Sequence, residues 1–461
     1  MKKLLVLCLA LCLCISTVGC TFLTQTHQGS IVLNESEAPD SSEQSVTASS
    51  DSPSSDTTSD PIQTSSTTTT SKVVSVVSKP DIVISQITTP DGEKAVEITV
   101  SKPGTSDDDS SDSDNKPSGP ALPPSIEDLE DLHGPDTVEP ETVTSAPTGS
   151  SDNDNTVTSD NPSSDTTTSD TTQGDNSGPK EHTPLDFKQR YRYNLLDLHE
   201  KVLYSQIVNA AESFTYKITF KQSRTFESVA AVLDAVISDN PHLFYLSMSC
   251  TILHDGLENA GGMYLNFSDG TNTNKDADGY CVEVSSSLKS SILAKKTAFD
   301  AKTKSILSKI DPTLPDVEKE KAIYDEILLN AKYNTSASWT SAVPDDWTAY
   351  GVLVKGKGVC ESYSEAFQHL CLMAGINCTV VRGDAGGAHQ WNAVQLDNEW
   401  YECDITFDDP INNSPLLAFL YHNYFNLTTE RMRQLNHVPY ANEPSPTATG
   451  TKYSYKNYFS N

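Results

Sequence analysis

Hydrophobic positions are spread very unevenly along this chain of 461 residues. Residues 21–184 are dominated by Ser, Thr, Asp, Asn and Pro, in runs such as TSSTTTTS and SDDDSSDSDN. Such a segment cannot bury enough apolar surface to offset the entropy lost on ordering, so it is predicted to form a disordered stalk. From about Phe187 onward, apolar residues recur with the periods of helices and strands, so residues 185–461 are predicted to fold.

One stretch of the stalk has a different pattern. Residues 72–103 alternate β-branched residues with polar ones and contain a Pro-Asp-Gly turn signal. The pattern is compatible with a hairpin, although a few short strands by themselves are only marginally stable. The sequence therefore leaves open whether this stretch folds.

Residues 185–310 mix helical and strand-like periods, which indicates a smaller α+β region. Apolar residues have helical spacing at six positions near its start, which are Leu195, Leu198, Val202, Leu203, Ile207 and Ala210. A second helix is predicted to end at Pro241, and strand-like runs follow it. Further helices are predicted at 288–310 and 316–331, and we place the last domain at residues 311–461.

Residues 1–20 have the parts of an export signal, because two lysines precede an apolar run at 4–15 that is too short to span a bilayer. The segment ends Thr-Val-Gly-Cys, which resembles a bacterial lipobox, although lipoboxes usually have Leu at the position of Thr17. The resemblance implies acyl chains on Cys20, and thus a lipid anchor at the extracellular face of the bacterial cell membrane. Secretion without an anchor is the alternative.

Charge is divided as unevenly as hydrophobicity. The formal net charge is −31, of which residues 21–184 contribute 6 − 30 = −24 and residues 185–461 contribute 24 − 33 = −9. Most of the acidity therefore belongs to the predicted stalk rather than to the folded region. No basic cluster indicates a nucleic-acid partner.

Residues 349–410 contain the candidate chemistry. After Gly358, apolar residues recur at helical spacing up to Gly375, which predicts a helix that begins at Cys360. The first turn of a helix has unpaired N–H groups and a partial positive charge, so we expect a lowered pKa and a populated thiolate at Cys360. The same N–H groups are suited to receive an oxyanion.

Three strand-like runs follow this helix, and the Asp-Asn pair at 397–398 favours a tight hairpin turn between the last two. Counting back from a two-residue turn, Trp391 opposes Asp404. His389 is then the diagonal neighbour of Asp404 on the same sheet face, within reach of a side-chain hydrogen bond. A carboxylate bonded to one ring nitrogen leaves the other nitrogen available to face a thiol.

Each of these residues has an ordinary structural interpretation when taken alone. A lone Cys is most often a small buried hydrophobe, and a lone His on a strand is usually a hydrogen-bonded structural group. Their joint placement, with Cys360 at a helix start and His389 beside Asp404 on a hairpin, favours a catalytic role for all three.

The other cysteines of the folded region are expected to be mostly reduced, buried thiols, and they are Cys250, Cys281, Cys371, Cys378 and Cys403. A disulfide between Cys250 and Cys281 stays open, because they lie in successive strand-like runs of an exported protein. No spacing indicates zinc, and the calcium-like run at 274–285 ends in Ser285 where a bidentate Glu is needed. We therefore expect no metal and no cofactor.

The motifs AYG, GVCESYSEAF, HQWN and WYECDITFDDP within residues 349–410 resemble those of the transglutaminase-like superfamily, in its bacterial extracellular branch. The resemblance implies an α+β, papain-like cysteine-proteinase fold. It also implies that Cys360 is the nucleophile, that His389 is the general base and then acid, and that Asp404 orients the imidazole. In this interpretation the Cys360 backbone N–H and the Tyr350 side chain help to bind an oxyanion, and Trp391 walls the site.

The implied reaction is thiolate attack on an amide carbonyl to give an acyl-enzyme. Resolution by water gives a peptidase or amidase, whereas resolution by an amine such as lysine gives a cross-linking transglutaminase. The leading interpretation is a lipid-anchored extracellular thiol hydrolase acting on protein or cell-wall peptide, with ligation as the enzymatic alternative. A non-catalytic binding or scaffolding module on a stalk is the alternative of a different class, and the oligomeric state stays open.

Overall fold

The computed structural model describes residues 181–460 with gaps at 254–258, 278, 339–341 and 412–418, and before them it describes residues 82–88, 94–100, 120–125 and 141–142. The predicted signal segment, the proposed lipidation site Cys20 and most of the predicted stalk lie outside the described residues.

Helices and strands of the described residues are numbered here in chain order. The helices are α1 (Tyr191–Leu195), α2 (Leu198–Ser213), α3 (Phe226–Asp239), α4 (Ser286–Leu307), α5 (Asp316–Asn330), α6 (Cys360–Met373), α7 (Thr429–Gln434) and α8 (Tyr455–Tyr458). The strands are β1 (Ile82–Thr88), β2 (Lys94–Val100), β3 (Glu141–Thr142), β4 (Lys217–Arg224), β5 (Leu246–Leu253), β6 (Ala260–Phe267), β7 (Lys332–Tyr333), β8 (Lys357–Gly358), β9 (Asn377–Asp384), β10 (Ala388–Leu396), β11 (Glu399–Cys403), β12 (Phe419–Leu420) and β13 (Val438–Pro439). The mixed α+β class expected from the sequence is confirmed.

The first sheet has the order β1-β2-β5-β6-β4, and its neighbouring strands are antiparallel. β1 and β2 form the hairpin that the sequence left open, and residues 95–99 of β2 pair with residues 249–253 of β5. A hairpin that is marginal alone gains a third strand by this pairing. The structure thus gives strands to a stretch whose folding the sequence left open.

Side chains of β5, β6, α2 and α3 form one apolar core. α2 begins at a capping box in which Asp197 and Glu200 bond each other's backbone N–H groups. This cap starts a new helix, so the buried face differs in part from the predicted one: Leu203, Ile207 and Ala210 are buried, whereas Leu198 is 81% and Val202 is 55% exposed.

The second sheet has the order β11-β10-β9-β13, and α6 packs against β9 and β10. The predicted hairpin is present, because Leu396 pairs with Glu399 and the two turn residues between them have φ of 49° and 67°. Positive φ at both central residues is the signature of a type I′ turn. α6 runs from Cys360 to Met373 as the spacing predicts, and Gly375 follows with φ of 85°.

α4 connects the two cores. Leu288 and Ile292 near its start belong to the core of the first sheet, whereas Phe299 and Ile306 belong to the core formed by α5, α6 and the second sheet. The helix thus lies before the boundary that the sequence pattern placed at 310/311, yet half of it packs with the last domain.

All six cysteines of the described residues are buried, and no disulfide joins Cys250 to Cys281. The loop that resembled a calcium site is closed by an antiparallel bridge between Lys275 and Cys281, which confirms a hairpin turn. Within the part of the chain that the structure describes, no helix has the length and apolar character needed to cross a bilayer.

Candidate active site

The N-terminus of α6 is fastened to the preceding loop. The Ser362 hydroxyl donates to the carbonyl of Thr348 at 2.5 Å and accepts from the N–H of Val352 at 2.9 Å. A Cβ at position 358 would collide with the Ser362 side chain, so Gly358 allows the chain to pass close to the helix just before Cys360. These contacts hold the thiol at the first position of the helix.

His389 and Asp404 are brought together by the hairpin, as its register predicts. His389 Nε2 lies 2.6 Å from Asp404 Oδ2, and both side chains are fully buried. Asp404 Oδ1 accepts from the N–H groups of Thr406 and Phe407. Burial disfavours the charged carboxylate, but the positive charge and hydrogen bonds of His389 and His437 outweigh it and lower the pKa of Asp404.

The same geometry assigns the tautomer of His389. Because an ionised carboxylate only accepts hydrogen bonds, Nε2 of His389 must carry the proton that faces Asp404. Nδ1 of His389 is buried and has no hydrogen-bond partner among the described residues. Nδ1 is therefore the ring nitrogen that is available to accept a proton from a thiol.

Cys360 lies near the strand that carries His389, because the backbone N–H of Gln390 is close enough to lower the pKa of the thiol, although larger effects raise it. The neighbouring Glu361 carboxylate is fully buried, with Oε2 3.6 Å from the sulfur. Burial and then the charge of Glu361 raise the pKa of the Cys360 thiol well above its ordinary value. The expected lowering of this pKa is therefore wrong for this closed arrangement, since desolvation and a like charge outweigh the field of the helix terminus.

A second histidine, which the sequence analysis missed, shares Asp404. His437 Nε2 lies 2.8 Å from Asp404 Oδ2, and His437 Nδ1 lies 2.9 Å from the carbonyl of Leu435. Both ring nitrogens thus lie within hydrogen-bonding distance of oxygen atoms. Its only sequence signal is a polar ring just before β13, a strand too short to be predicted.

The donor atoms of His389, Asp404 and His437 lie within 4.8 Å of one another, so the three residues have the spacing of a metal site. The two imidazole–carboxylate hydrogen bonds already satisfy these atoms, however. The arrangement is that of a hydrogen-bonded trio, and it gives no reason to route the chemistry through a cation.

Trp391 stands beside the trio. Its ring is nearly parallel to the His389 ring, with centroids 5.9 Å apart, and its Nε1 donates to Glu402 Oε2 at 2.7 Å. Trp391 is fully buried, so it packs against the His389 ring and does not face solvent.

The two tyrosines near this region have different surroundings. Tyr350, predicted as an oxyanion helper, packs against Phe244 with ring centroids 5.2 Å apart and has the Lys295 ammonium 5.0 Å from its ring centre. Tyr333 is buried, and burial first, then the charges of Cys360 and Glu361, raise its pKa. Its hydroxyl donates to the carbonyl of Ala121 at 3.0 Å.

A family model of the transglutaminase-like superfamily matches residues 302–405. The matched range includes Cys360, His389 and Asp404. The chain therefore carries a transglutaminase-like domain. The match begins inside α4, in agreement with the packing of the second half of that helix into the core of the domain.

Among curated proteins, the kyphoscoliosis peptidases of Mus musculus and Homo sapiens are each 27% identical to this chain over 142 residues. The aligned part covers 27% of this chain and 21% of each relative, so the chain spans about a fifth of their length.

Solved structures with detectable similarity include a TGase, with 15% identity, a TM-score of 0.23 and coverage of 41% of this chain and 50% of that chain. A candidate cysteine protease from Cytophaga hutchinsonii has 16% identity, a TM-score of 0.19 and coverage of 38% and 56%. At these TM-scores the structural overlaps add nothing to the family match. The transglutaminase-like match supports a thiol enzyme in general.

Proposed function

We propose that Cys360, His389 and Asp404 form the catalytic triad of a thiol enzyme that hydrolyses amide bonds in protein or cell-wall peptide. The observation that supports this most is the hydrogen bonding of the two ring nitrogens of His389. Its Nε2 is held by Asp404 at 2.6 Å, and its Nδ1 is left without a hydrogen-bond partner among the described residues. The backbone N–H of Gln390, the next residue along the strand, is close enough to the Cys360 sulfur to lower the pKa of the thiol.

In the proposed first step, His389 Nδ1 takes the proton of the Cys360 thiol while the sulfur attacks the amide carbonyl carbon. The oxyanion forms at the start of α6, where Val359 supplies no side-chain cap and the N–H groups of the first turn face outward along the helix axis. Asp404 stabilises the imidazolium that results.

The imidazolium then gives its proton to the amide nitrogen, the C–N bond breaks, and an acyl thioester stays on Cys360. Water attacks the thioester carbonyl as His389 takes one of its protons, and the C–S bond breaks to release the acid and the thiol. Each proton that His389 receives is returned, so the triad ends as it began.

Hydrolysis is preferred over amine transfer because the curated relatives are named peptidases. A labelled glutamine peptide offered with and without a primary amine separates the two outcomes. Hydrolysis to the free acid is expected in both cases, with ammonia released from a side-chain amide or an amine released from a peptide bond. Amine incorporation as the dominant product would instead show a protein-glutamine gamma-glutamyltransferase.

The triad itself is tested by Cys360→Ala, which should abolish turnover of a peptide library and the formation of a trapped acyl-enzyme detected by mass spectrometry. Cys371→Ala is the matched control, since Cys371 is a fully buried thiol of the same helix. It should retain turnover. Unchanged turnover in Cys360→Ala would favour a surface binding or scaffolding module over an enzyme.

We also propose that the enzyme is displayed outside the cell by acyl chains on Cys20. The support is the Thr-Val-Gly-Cys sequence that ends the apolar leader. Mass spectrometry of the mature N-terminus should find a diacylglyceryl thioether on that cysteine. An unmodified Cys20 would contradict the anchor and leave the triad proposal unaffected.

A further inference from the structure

Residues 120–125, from the acidic N-terminal segment, pair with the start of β10, next to His389. Pro120 forms a parallel bridge with Ala388, and the N–H of Ala121 donates to the carbonyl of Ala388 at 2.9 Å. On the other side of the segment, the Tyr333 hydroxyl donates to the carbonyl of Ala121 at 3.0 Å. Ala388 is the residue before His389, so the backbone of Ala121 is bonded between the histidine strand and Tyr333.

The segment continues across the loop that carries the carboxylate. The N–H of Ile411, which follows the Asp404 loop, donates to the carbonyl of Pro124 at 3.3 Å. Residues 120–125 therefore run from the start of β10 to the end of that loop.

Side chains alternate along this segment as they do in an extended peptide. Ala121 is 5% exposed and belongs to the apolar cluster of Trp391 and Phe407, whereas Leu122 is 57% exposed. The position of Ala121 is therefore an apolar pocket filled by a single methyl group.

The composition of the segment suits a bound peptide. Pro120, Pro123 and Pro124 have restricted φ, so little conformational entropy is lost when the segment is seated. Backbone hydrogen bonds on both sides give affinity without demanding particular side chains, as in other peptides that bind by strand addition. With the segment seated, Cys360 is 1% exposed and His389 is fully buried.

We propose that the cleft filled by residues 120–125 is the substrate groove of this site, and that the segment is a built-in competitor that must leave before substrate enters. The groove takes an extended peptide with a small side chain at the position of Ala121 and prolines beside it. This assignment names the substrate class of the enzyme proposed above and rests on that proposal.

The first test compares two substitutions in the same segment. Ala121→Asp puts a charge into an apolar pocket and should expel the segment, whereas Leu122→Asp changes an exposed position and should leave the segment seated. Each full-length chain is treated with iodoacetamide, and the labelled cysteines are mapped by mass spectrometry. Cys360 should react about tenfold faster in Ala121→Asp than in Leu122→Asp or in the unsubstituted chain. Equal rates in all three chains overturn the proposal.

Other cysteines distinguish expulsion from unfolding. Cys371 and Cys378 are at most 1% exposed, so their labelling would report loss of the core. If they react in Ala121→Asp, Tyr333→Phe takes its place, because it removes the hydroxyl that bonds Ala121 and keeps the ring. Faster labelling confined to Cys360 is expected in Tyr333→Phe, and an unchanged rate there overturns the proposal.

The second test uses the octapeptide SGPALPPS, the sequence of residues 118–125. Added to the Ala121→Asp chain, it should restore the protection of Cys360, and the same peptide with Ala121→Asp should not. Its binding is measured by fluorescence polarisation on a chain with Ala121→Asp and Cys360→Ala, so the result is independent of catalysis. Selective binding without turnover of any peptide would support the groove and contradict the enzyme. Fast labelling without peptide selectivity would overturn the groove and leave the enzyme standing.

Discussion

At the residue scale, the Oδ2 atom of Asp404 accepts hydrogen bonds from two histidines instead of one. His389 uses this bond to fix its tautomer, whereas His437 has its other nitrogen on a backbone carbonyl and cannot face the thiol in the same way. We therefore propose that His437 is a positioning residue: it holds the Asp404 carboxylate, which orients His389, the proposed base. The interactions with the two histidines also lower the pKa of Asp404, which burial alone would raise.

Two replacements of His437 test whether its hydrogen bond to Asp404 contributes to the reaction. His437→Leu removes the donor to Asp404, so kcat should fall about tenfold with little change in KM, because a loosened orienting group acts in the chemical step. His437→Gln keeps an N–H donor and should restore most of kcat. A purely structural role predicts instead that both variants lose activity in proportion to their loss of thermal stability.

Glu361 offers a pH-dependent prediction. Its buried charge raises the pKa of the Cys360 thiol, after burial itself, so Glu361→Gln should lower that pKa. At a fixed pH below the pKa, a lower pKa means more thiolate and faster alkylation. The rate of iodoacetamide labelling against pH, measured in chains that also carry Ala121→Asp, should therefore shift to lower pH. A profile that stays in place would show that the carboxylate does not act on the sulfur.

At the element scale, the β10–β11 hairpin is what delivers His389 to Asp404. A shift of one residue in its pairing would move every side chain of one strand to the other face of the sheet. The register is set by the type I′ turn, whose second residue, Asn398, has φ of 67°. Asn tolerates this conformation better than other residues with a side chain, and Gly tolerates it best.

Two substitutions in the turn should therefore have opposite effects on stability. Asn398→Gly should be neutral or stabilising by up to about 1 kcal/mol, and Asn398→Val should destabilise by about 1–2 kcal/mol. Urea unfolding followed by circular dichroism measures both. If the valine variant is as stable as the glycine variant, the turn does not have the conformation on which the register depends.

At the scale of the whole molecule, a buried ionic cluster joins the N-terminal α+β region to the transglutaminase-like domain. In α3, Asp234 Oδ2 lies 3.0 Å from Arg192 Nη1, and Asp234 Oδ1 lies 2.7 Å from Nη1 of Arg382 in β9. Glu443 pairs with both arginines. Two positive and two negative charges balance, which makes their burial tolerable. Since α4 also contributes to both cores, the two regions should unfold together.

Breaking the cluster should destabilise both regions at once. Asp234→Asn leaves two buried guanidinium groups with one carboxylate, and it should cost about 3–5 kcal/mol of unfolding free energy in one transition seen by all probes. Asp300→Asn, which removes the more exposed pair with Lys296, is the control and should cost less than about 1 kcal/mol. Two separate transitions would contradict the joined architecture.

Features set by local rules could be predicted. α6 begins at Cys360 because of the glycines before it and the helical spacing after it. The hairpin follows from an Asp-Asn pair between two alternating runs. Parity along the strands then places His389 beside Asp404. Each of these inferences needs only the geometry of one helix or of two strands joined by a short turn.

Features that depend on distant packing could not be predicted. His437 is 33 positions from the carboxylate it bonds, and Ala121 is 212 positions from the tyrosine it bonds. The buried face of α2 was partly misassigned because its partners, and not its own spacing, decide which residues are covered. The thiol pKa was misjudged for the same reason, since burial is a property of the assembled site.

The sequence by itself determined the identity and pairing of His389 and Asp404 and the placement of Cys360 at a helix start, because backbone periodicity carries that information locally. Only the tertiary structure decided that a second histidine shares the carboxylate, that burial raises the pKa of the Cys360 thiol, and that residues 120–125 pair with the start of β10. Desolvation and long-range contacts arise when separate elements pack, and no local pattern in the chain encodes which elements will meet.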